Sequence, residues 1–374
     1  MRVQRHHCEG CHRTYSETSA LLVRGSWYAR EVHRAAIDHW QHAGTSLRRA
    51  AELLRTWLGH QERWQFWRPL DEAPADGEQC HLGASTVHRW LDSAGRAAQR
   101  AAPGYLAGVP TSGQMGTDGL WARLRAGATG VVLGLVDYAS GVVWPPVVAK
   151  DESESGWERM FGRAFTAGLD VDVLRGVTSD GASGLAGYLD RVLAWVNHQR
   201  CVWHLWRGLG GEFARQGSQA AAGYAGAVAK AVAERTRREL AALVRSVLNA
   251  PSEAAAQVAL AALAAHPRGA ALAQAVREHL DAALVHLLVY NGGLCRVGPE
   301  WLWRDFRLRL SGGRNHGSYV RLERAALVWA TYHNFEPAQR RSERKRQYRR
   351  AGWSPLAMAG VSPGEVSYLD ALAV

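Results

Sequence analysis

The chain is 374 residues long and carries 45 Lys and Arg against 34 Asp and Glu, a formal net charge of +11. It exceeds one ordinary domain, has no run of about eighteen apolar residues to span a membrane, and spreads five cysteines too thinly for a disulfide framework. A membrane protein and a small secreted scaffold are thereby excluded, and a soluble protein of a reducing compartment is expected.

Only three of the basic residues are lysines (Lys150, Lys230 and Lys345). GC-rich codon usage accounts for that ratio, whereas the surplus of positive charge points to a nucleic-acid partner. The first twelve residues are basic and polar, so no signal peptide is expected.

In chain order, Cys8-Glu9-Gly10-Cys11 comes first. A two-residue gap sets two thiolates on one ion across a tight turn, but zinc needs four ligands and no second such pair exists. Cys8 and Cys11 are therefore either half of a structural zinc site, with His6, His7 and His12 as local candidates, or two free thiols. From Arg30 to Thr56 the apolar spacing predicts helix, broken at Gly44-Thr45-Ser46, where Thr45 or Ser46 offers a cap. An acidic loop, Asp71 to Glu78, precedes Gly83 to Leu91, which has the pattern of the second helix of a helix-turn-helix. Val87, Trp90 and Leu91 form its buried face and leave His88 and Arg89, with Ser85 and Thr86, for a major groove. An ordinary amphipathic helix would have the same pattern.

Ala101 to Gly116 is expected as a linker. Strands follow at 114–124, 131–137 and 142–149, the last with Pro145-Pro146 marking a bulge or a sheet edge. A helix at 153–167, a strand at 173–178, a helix at 184–195 and a strand at 197–203 complete an order that matches the ribonuclease H-like fold. Gly208 to Gly217 is expected as a joint leading into an Ala- and Leu-rich helical block, 219–288. A basic run closes the chain, with Arg340, Arg341, Arg344, Lys345 and Arg346 suited to neutralising phosphates.

Three carboxylates stand out. Asp118 lies on the first strand of the sheet, beside glycine. Asp180, 62 residues later, ends the fourth strand. Glu300 opens a late helix. Two strand-borne aspartates and one helix-borne glutamate are a set that holds paired divalent cations for phosphodiester chemistry. Each aspartate alone is equally a turn or cap residue. Glu323 competes for the third position, although a surface ion pair accounts for it as well, and Glu336 is more remote.

Asp118, Asp180, the Cys201-Val202-Trp203-His204 motif, a helical insertion and a helix-borne glutamate together resemble the Mutator-like and related bacterial insertion-sequence transposases, over about residues 115–333. In that group the glutamate is followed by basic residues at offsets matched by Arg304, Arg307 and Arg309, which favours Glu300. The resemblance implies a structural place near the active site for Cys201 and His204. It also makes Cys8 and Cys11 similar to the latter half of the zinc ribbon that opens many such proteins.

The fold class expected is α/β: a ribonuclease H-like core (103–207 and 297–338) interrupted by an all-α insertion (208–296). A partial zinc knuckle (1–15) and a helical DNA-binding unit (16–102) precede it, and a basic tail (339–374) follows. The resemblance implies a DDE-type transposase acting on double-stranded DNA as a homo-oligomer in the cytoplasm. It would use two Mg²⁺, or Mn²⁺, held by Asp118, Asp180 and Glu300, with DNA contacts from His88, Arg89, Arg304, Arg307, Arg344, Lys345 and Arg346. A repair or junction nuclease on the same fold, and an inactive DNA-binding remnant, are the alternatives.

Overall fold

The computed structural model describes residues 5–7, 9–11, 14–16, 26, 28–43, 45–60, 82–288, 295–299, 301–312, 316–337, 352–364 and 366–372. Two short antiparallel strands come first, β1 (Arg5–His7) and β2 (Thr14–Ser16), with Glu9–Cys11 in the turn between them. Helices α1 (Arg30–Ala43), α2 (Leu47–His60) and α3 (Ala84–Leu106) follow. Of the two expected caps it is Ser46 whose hydroxyl accepts the Arg49 amide and starts α2. Val32, Ala36, Leu54, Leu58, Val87 and Trp90 close a small apolar core among the three helices.

The linker expected at 101–116 is shorter than its Pro and Gly content suggested, because α3 runs through Pro103 to Leu106. Ala94, Ala98, Ala102 and Leu106 recur every fourth position and are all buried in the main core. That continuous buried row outweighs the one backbone hydrogen bond that proline removes.

The centre of the molecule is a mixed five-stranded sheet. Its strands are β3 (Gln114–Arg123), β4 (Thr129–Asp137), β5 (Val143–Ala149), β6 (Gly176–Ser179) and β7 (Asn197–Arg200), in the order β5-β4-β3-β6-β7. The first three strands are antiparallel, and β6 and β7 run parallel to β3. Two helices, α4 (Glu154–Thr166) and α5 (Ser183–Val192), make the crossovers. Strand β4 is buried on both faces, which is why it reads as an unbroken apolar run.

Strand β5 is an edge strand, and its pairing with β4 shifts register where Pro145-Pro146 falls. Both halves of the expectation for those prolines hold. The open side of this strand is occupied. The Asn334 side chain receives the Val143 amide at 2.8 Å and donates to the Val143 carbonyl at 2.8 Å. The Glu323 carboxylate receives the Val148 amide at 2.8 Å.

After β7 come α6 (Val202–Gly208), α7 (Gly210–Ala220), α8 (Gly226–Leu248), α9 (Glu253–Ala265), α10 (Ala270–Arg277) and α11 (Leu280–Leu284). They bury a second apolar core that includes Leu205, Phe213, Leu240, Leu260, Leu272 and Leu284. Two local expectations change here. The last strand ends at Arg200, so Val202 to His204 form a helical turn, and 208–217 is helix rather than a loose joint. Phe213, one turn after the buried Leu209, and the buried Gln216 hold α7 in place despite its glycines.

The chain returns through α12 (Arg304–Gly312) and α13 (Tyr319–Phe335), and ends with the short helices α14 (Pro355–Met358) and α15 (Tyr368–Ala371). Trp303, Phe306 and Trp329 meet with ring centroids 5.3–6.0 Å apart and are wholly buried in the sheet's own core. Among the described residues no helix is long and apolar enough to cross a membrane.

Candidate functional site

Asp118 and Asp180 lie on neighbouring strands, β3 and just beyond β6. Gln114, Met115 and Gly116 pair with Gly176, Val177 and Thr178. Continuing that ladder by two residues sets Asp118 level with Asp180, which stands immediately beyond the last residue of β6. Asp118 is buried, 8% exposed. Asp180 is half-buried, and its Oδ1 accepts the Ala182 amide at 3.0 Å, fixing the carboxylate over a tight turn.

Glu300 lies outside the described residues, but the chain on either side of it is held at the site. Four hydrogen bonds stitch residues 295–298 to the ends of the parallel strands. Thr178 Oγ1 donates to the Cys295 carbonyl (2.6 Å) and Tyr138 Oη to the Val297 carbonyl (2.7 Å). The Val202 amide donates to the Arg296 carbonyl (2.9 Å), and the Gly298 amide to Cys201 Sγ (3.0 Å). Pro299 lies over Gly116, and Trp303 Nε1 donates to the Asp118 carbonyl at 3.2 Å. Trp303 reaches that bond only because residue 134, paired with Asp118, is glycine; a Cβ there would stand 2.5 Å from the indole. Paired residues and residues two apart share a face of a strand, so Asp118 points to the side covered by 299–303. The helix itself begins at Arg304, one turn later than expected, after a turn at 301–303.

Cys201 is fully buried and caps α6, with its amide donated to the Ser179 carbonyl at 2.6 Å. Its place is structural: it ties the end of β6 to the returning chain. The His204 ring is edge-on to Trp203 at 5.1 Å. Trp203 and Trp206, with Arg245, Arg296 and Asn249, line an open cavity of about 380 Å³ between α6 and α8.

A further carboxylate was missed from sequence. Glu152, in the loop between β5 and α4, occupies the space left by the missing side chain of Gly119, on the face of β3 opposite Asp118. Burial, and then the negative charge of Asp180, push its carboxyl up to about 7. The only sequence signal was glycine at position 119, next to Asp118 inside a strand. Among the described residues, no group of three His, Cys, Asp or Glu side chains is close enough to hold a metal. The described part of the site is thus the aspartate pair, with Glu152 coupled to it through Asp180.

Glu152 gives the first expected result. A carboxyl whose folded pKa lies near 7 and whose ordinary value is 4.5 keeps its proton in the folded chain while the unfolded chain has lost it. It therefore costs stability as pH rises through that window, and the cost is complete above about 7. In EDTA, Glu152→Gln should match wild type near pH 4 and exceed it at pH 8 by about 1 kcal/mol, a figure reduced from the full shift for solvent screening. Thermal unfolding of both proteins across pH 4–8 checks this, and parallel curves would show that Glu152 titrates as an ordinary surface acid.

Glu323, the competing third carboxylate, is at the other side of the sheet. It accepts Val148 N and pairs with Arg163 at 2.8 Å and Arg159 at 3.8 Å. The ion-pair reading of this residue is the one the structure supports.

Of the expected DNA contacts, Arg89 is exposed on the first turns of α3, 3.4 Å from Thr86 Oγ1, and Arg304 and Arg307 are exposed on α12. Leu302 and Phe306 are buried on the opposite side. Arg309 is buried instead, donating to Gln41 Oε1 at 2.7 Å and lying over the Tyr332 ring, so it joins α12 to α1. His88 is half-buried, beside Arg321 and Asp92. Cys11 is exposed; Cys8, Arg344, Lys345 and Arg346 lie outside the described residues. Twenty-three residues, 61–83, separate α2 from α3 in the sequence, against the three or four between the helices of a compact helix-turn-helix. The chain matches no protein-family model and no curated protein.

Proposed function

We propose that the protein is a DDE-type DNA transposase, which cuts at the ends of a mobile element and joins the freed ends to target DNA. The observation that carries this reading is the parallel pairing of β3 with β6, whose register, continued by two residues, brings the chain at Asp118 level with Asp180. The strand order, three antiparallel and two parallel, supports a ribonuclease H-like core. The α1–α3 unit supports a DNA-reading role through Arg89.

The donor types fit a hard divalent cation: both are aspartate carboxylates, one on β3 and one just beyond β6, the oxygen ligands such an ion takes. Asp118 and Asp180, with Glu300 as third ligand, would hold two Mg²⁺ or Mn²⁺. When bound, such ions make water or a 3′-hydroxyl a nucleophile at neutral pH and offset charge on the phosphate. In the first step a water oxygen attacks phosphorus and the 3′-oxygen leaves. In the second that 3′-hydroxyl attacks a target phosphodiester, whose own 3′-oxygen leaves. Trp303 holds the Asp118 backbone in place through both steps, and Arg304 and Arg307 face the DNA backbone. Double-stranded DNA is the partner, and a homo-oligomer would bring two ends together.

Supercoiled plasmid carrying the DNA that flanks the coding region provides the test. Incubation with Mg²⁺ should yield nicks bearing 3′-hydroxyls at the element borders, and EDTA should abolish them. Tight binding without cleavage in Mg²⁺ or Mn²⁺ would refute the enzyme and leave a DNA-binding remnant. Cleavage indifferent to the flanks would refute the transposase in favour of a nuclease.

A further inference from the structure

The amino end of α13 is clamped onto the β3–β4 hairpin: Tyr319 Oη donates to the Thr129 carbonyl at 3.0 Å, and its ring covers Gly130. At this junction four cationic or potentially cationic side chains converge. Beside Gly317, the position a Cβ would take is 3.2 Å from an Arg321 guanidinium nitrogen and 3.7 Å from Arg125 Cδ. His88 enters from α3; burial first, then the charges of Arg321 and Arg125, disfavour its protonation. His316 is 8% exposed, and its Nε2 is buried with no hydrogen-bond partner.

Negative charge at the junction is scarce. Asp92 is the one acid that acts on His88, and it is spent on Arg324 at 2.5 Å and Arg96 at 2.7 Å. Among the described residues neither Arg125 nor Arg321 is in an ion pair, and both are exposed. The amino terminus of a 17-residue helix adds its own positive end. Two guanidinium side chains that approach each other beside Gly317, a helix amino end and an orphaned imidazole nitrogen on the adjacent residue suit a multivalent oxyanion.

We infer that Arg125, Arg321, His88 and His316 form a phosphate-binding site at the junction of α3, the β3–β4 hairpin and α13, and that its ligand is a backbone phosphate of bound DNA. Strand β3 runs on from Asp118 to Arg123, beyond the end of β6, so the site lies on the same end of the sheet as the aspartates. At about 3.3 Å per strand residue it is on the order of 20 Å from Asp118. That is roughly six base pairs of duplex, within one bound DNA segment. The DNA clause rests on the transposase reading; the phosphate site does not.

The full chain is tested in two arms. Inorganic phosphate is titrated against the protein while histidine ring resonances are followed, with His88→Gln and His316→Gln giving the assignments. Both rings should shift saturably in wild type and stay still in the Arg125→Gln/Arg321→Gln double variant. In the second arm, duplex affinity is measured against salt. The double variant should bind specific and random DNA about tenfold more weakly, with a log–log salt slope smaller by about one. Arg125→Lys/Arg321→Lys should restore the slope.

Ring shifts with unchanged DNA affinity would overturn the DNA clause and make free phosphate the ligand. No ring shift and no DNA effect would overturn the site. If wild type binds no DNA at all, the transposase reading fails, while the phosphate titration still decides the site.

Discussion

Asp180→Asn is expected to leave DNA binding within about twofold of wild type and to lower Mg²⁺-dependent cleavage by on the order of a thousandfold or more, roughly 4 kcal/mol of barrier. Asparagine keeps the Oδ1 that receives the Ala182 amide, so the turn after β6 survives. What it loses is the formal charge that a hard cation requires. It also removes the charge that acts on Glu152, whose carboxyl should fall toward its ordinary range. The decisive comparison is cleavage of pre-nicked end DNA by wild type and variant, in Mg²⁺, at equal fractional binding. Equal cutting by both would remove Asp180 from the chemistry and with it the aspartate pair.

Glu323→Ala should instead lower stability and spare the reaction. The Glu323 side chain is 16% exposed; it receives the Val148 amide and the Arg163 guanidinium. Truncating it leaves an unpaired arginine beside an unpaired amide, a loss of about 3 kcal/mol. For a domain of this size that is a fall in Tm of about 6–12 °C. Below that transition the folded variant should cut DNA at the wild-type rate. A stable but inactive Glu323→Ala would return this residue to the list of metal ligands.

Strands β4 and β5 were legible because they are nearly unbroken apolar runs punctuated by the turn residues Ala139-Ser140-Gly141. That the strands carrying Asp118 and preceding Asp180 are neighbours was legible as well, and their register offset equals the 62-residue interval between the two aspartates. Glu152 was hidden, since a glutamate in a polar loop has no signature until the neighbouring Gly119 is seen to make room for it. The burial of Arg309 was hidden for a related reason. Arg309 enters only as a basic offset of the resemblance, which does not say which way the side chain turns; position 309 turns inward to meet Gln41, more than 260 positions earlier in the chain. Pro103 misled because local propensity weighed against a helix that long-range packing sustains.

The outer edge of β5 bears on how copies of this chain come together. A bare edge strand invites another strand to add itself, extending one sheet across two molecules. Here Val143 already has both backbone groups engaged by Asn334, Val148 donates to Glu323, and Pro145-Pro146 offer no amide hydrogens. The α13 side chains thus behave as a surrogate neighbour for β5. Self-association through this edge would first have to break three hydrogen bonds and expel a paired carboxylate. Folded copies are thereby kept from pairing through this edge, and its exposure in a partly unfolded chain would be the moment at which it becomes prone to aggregate.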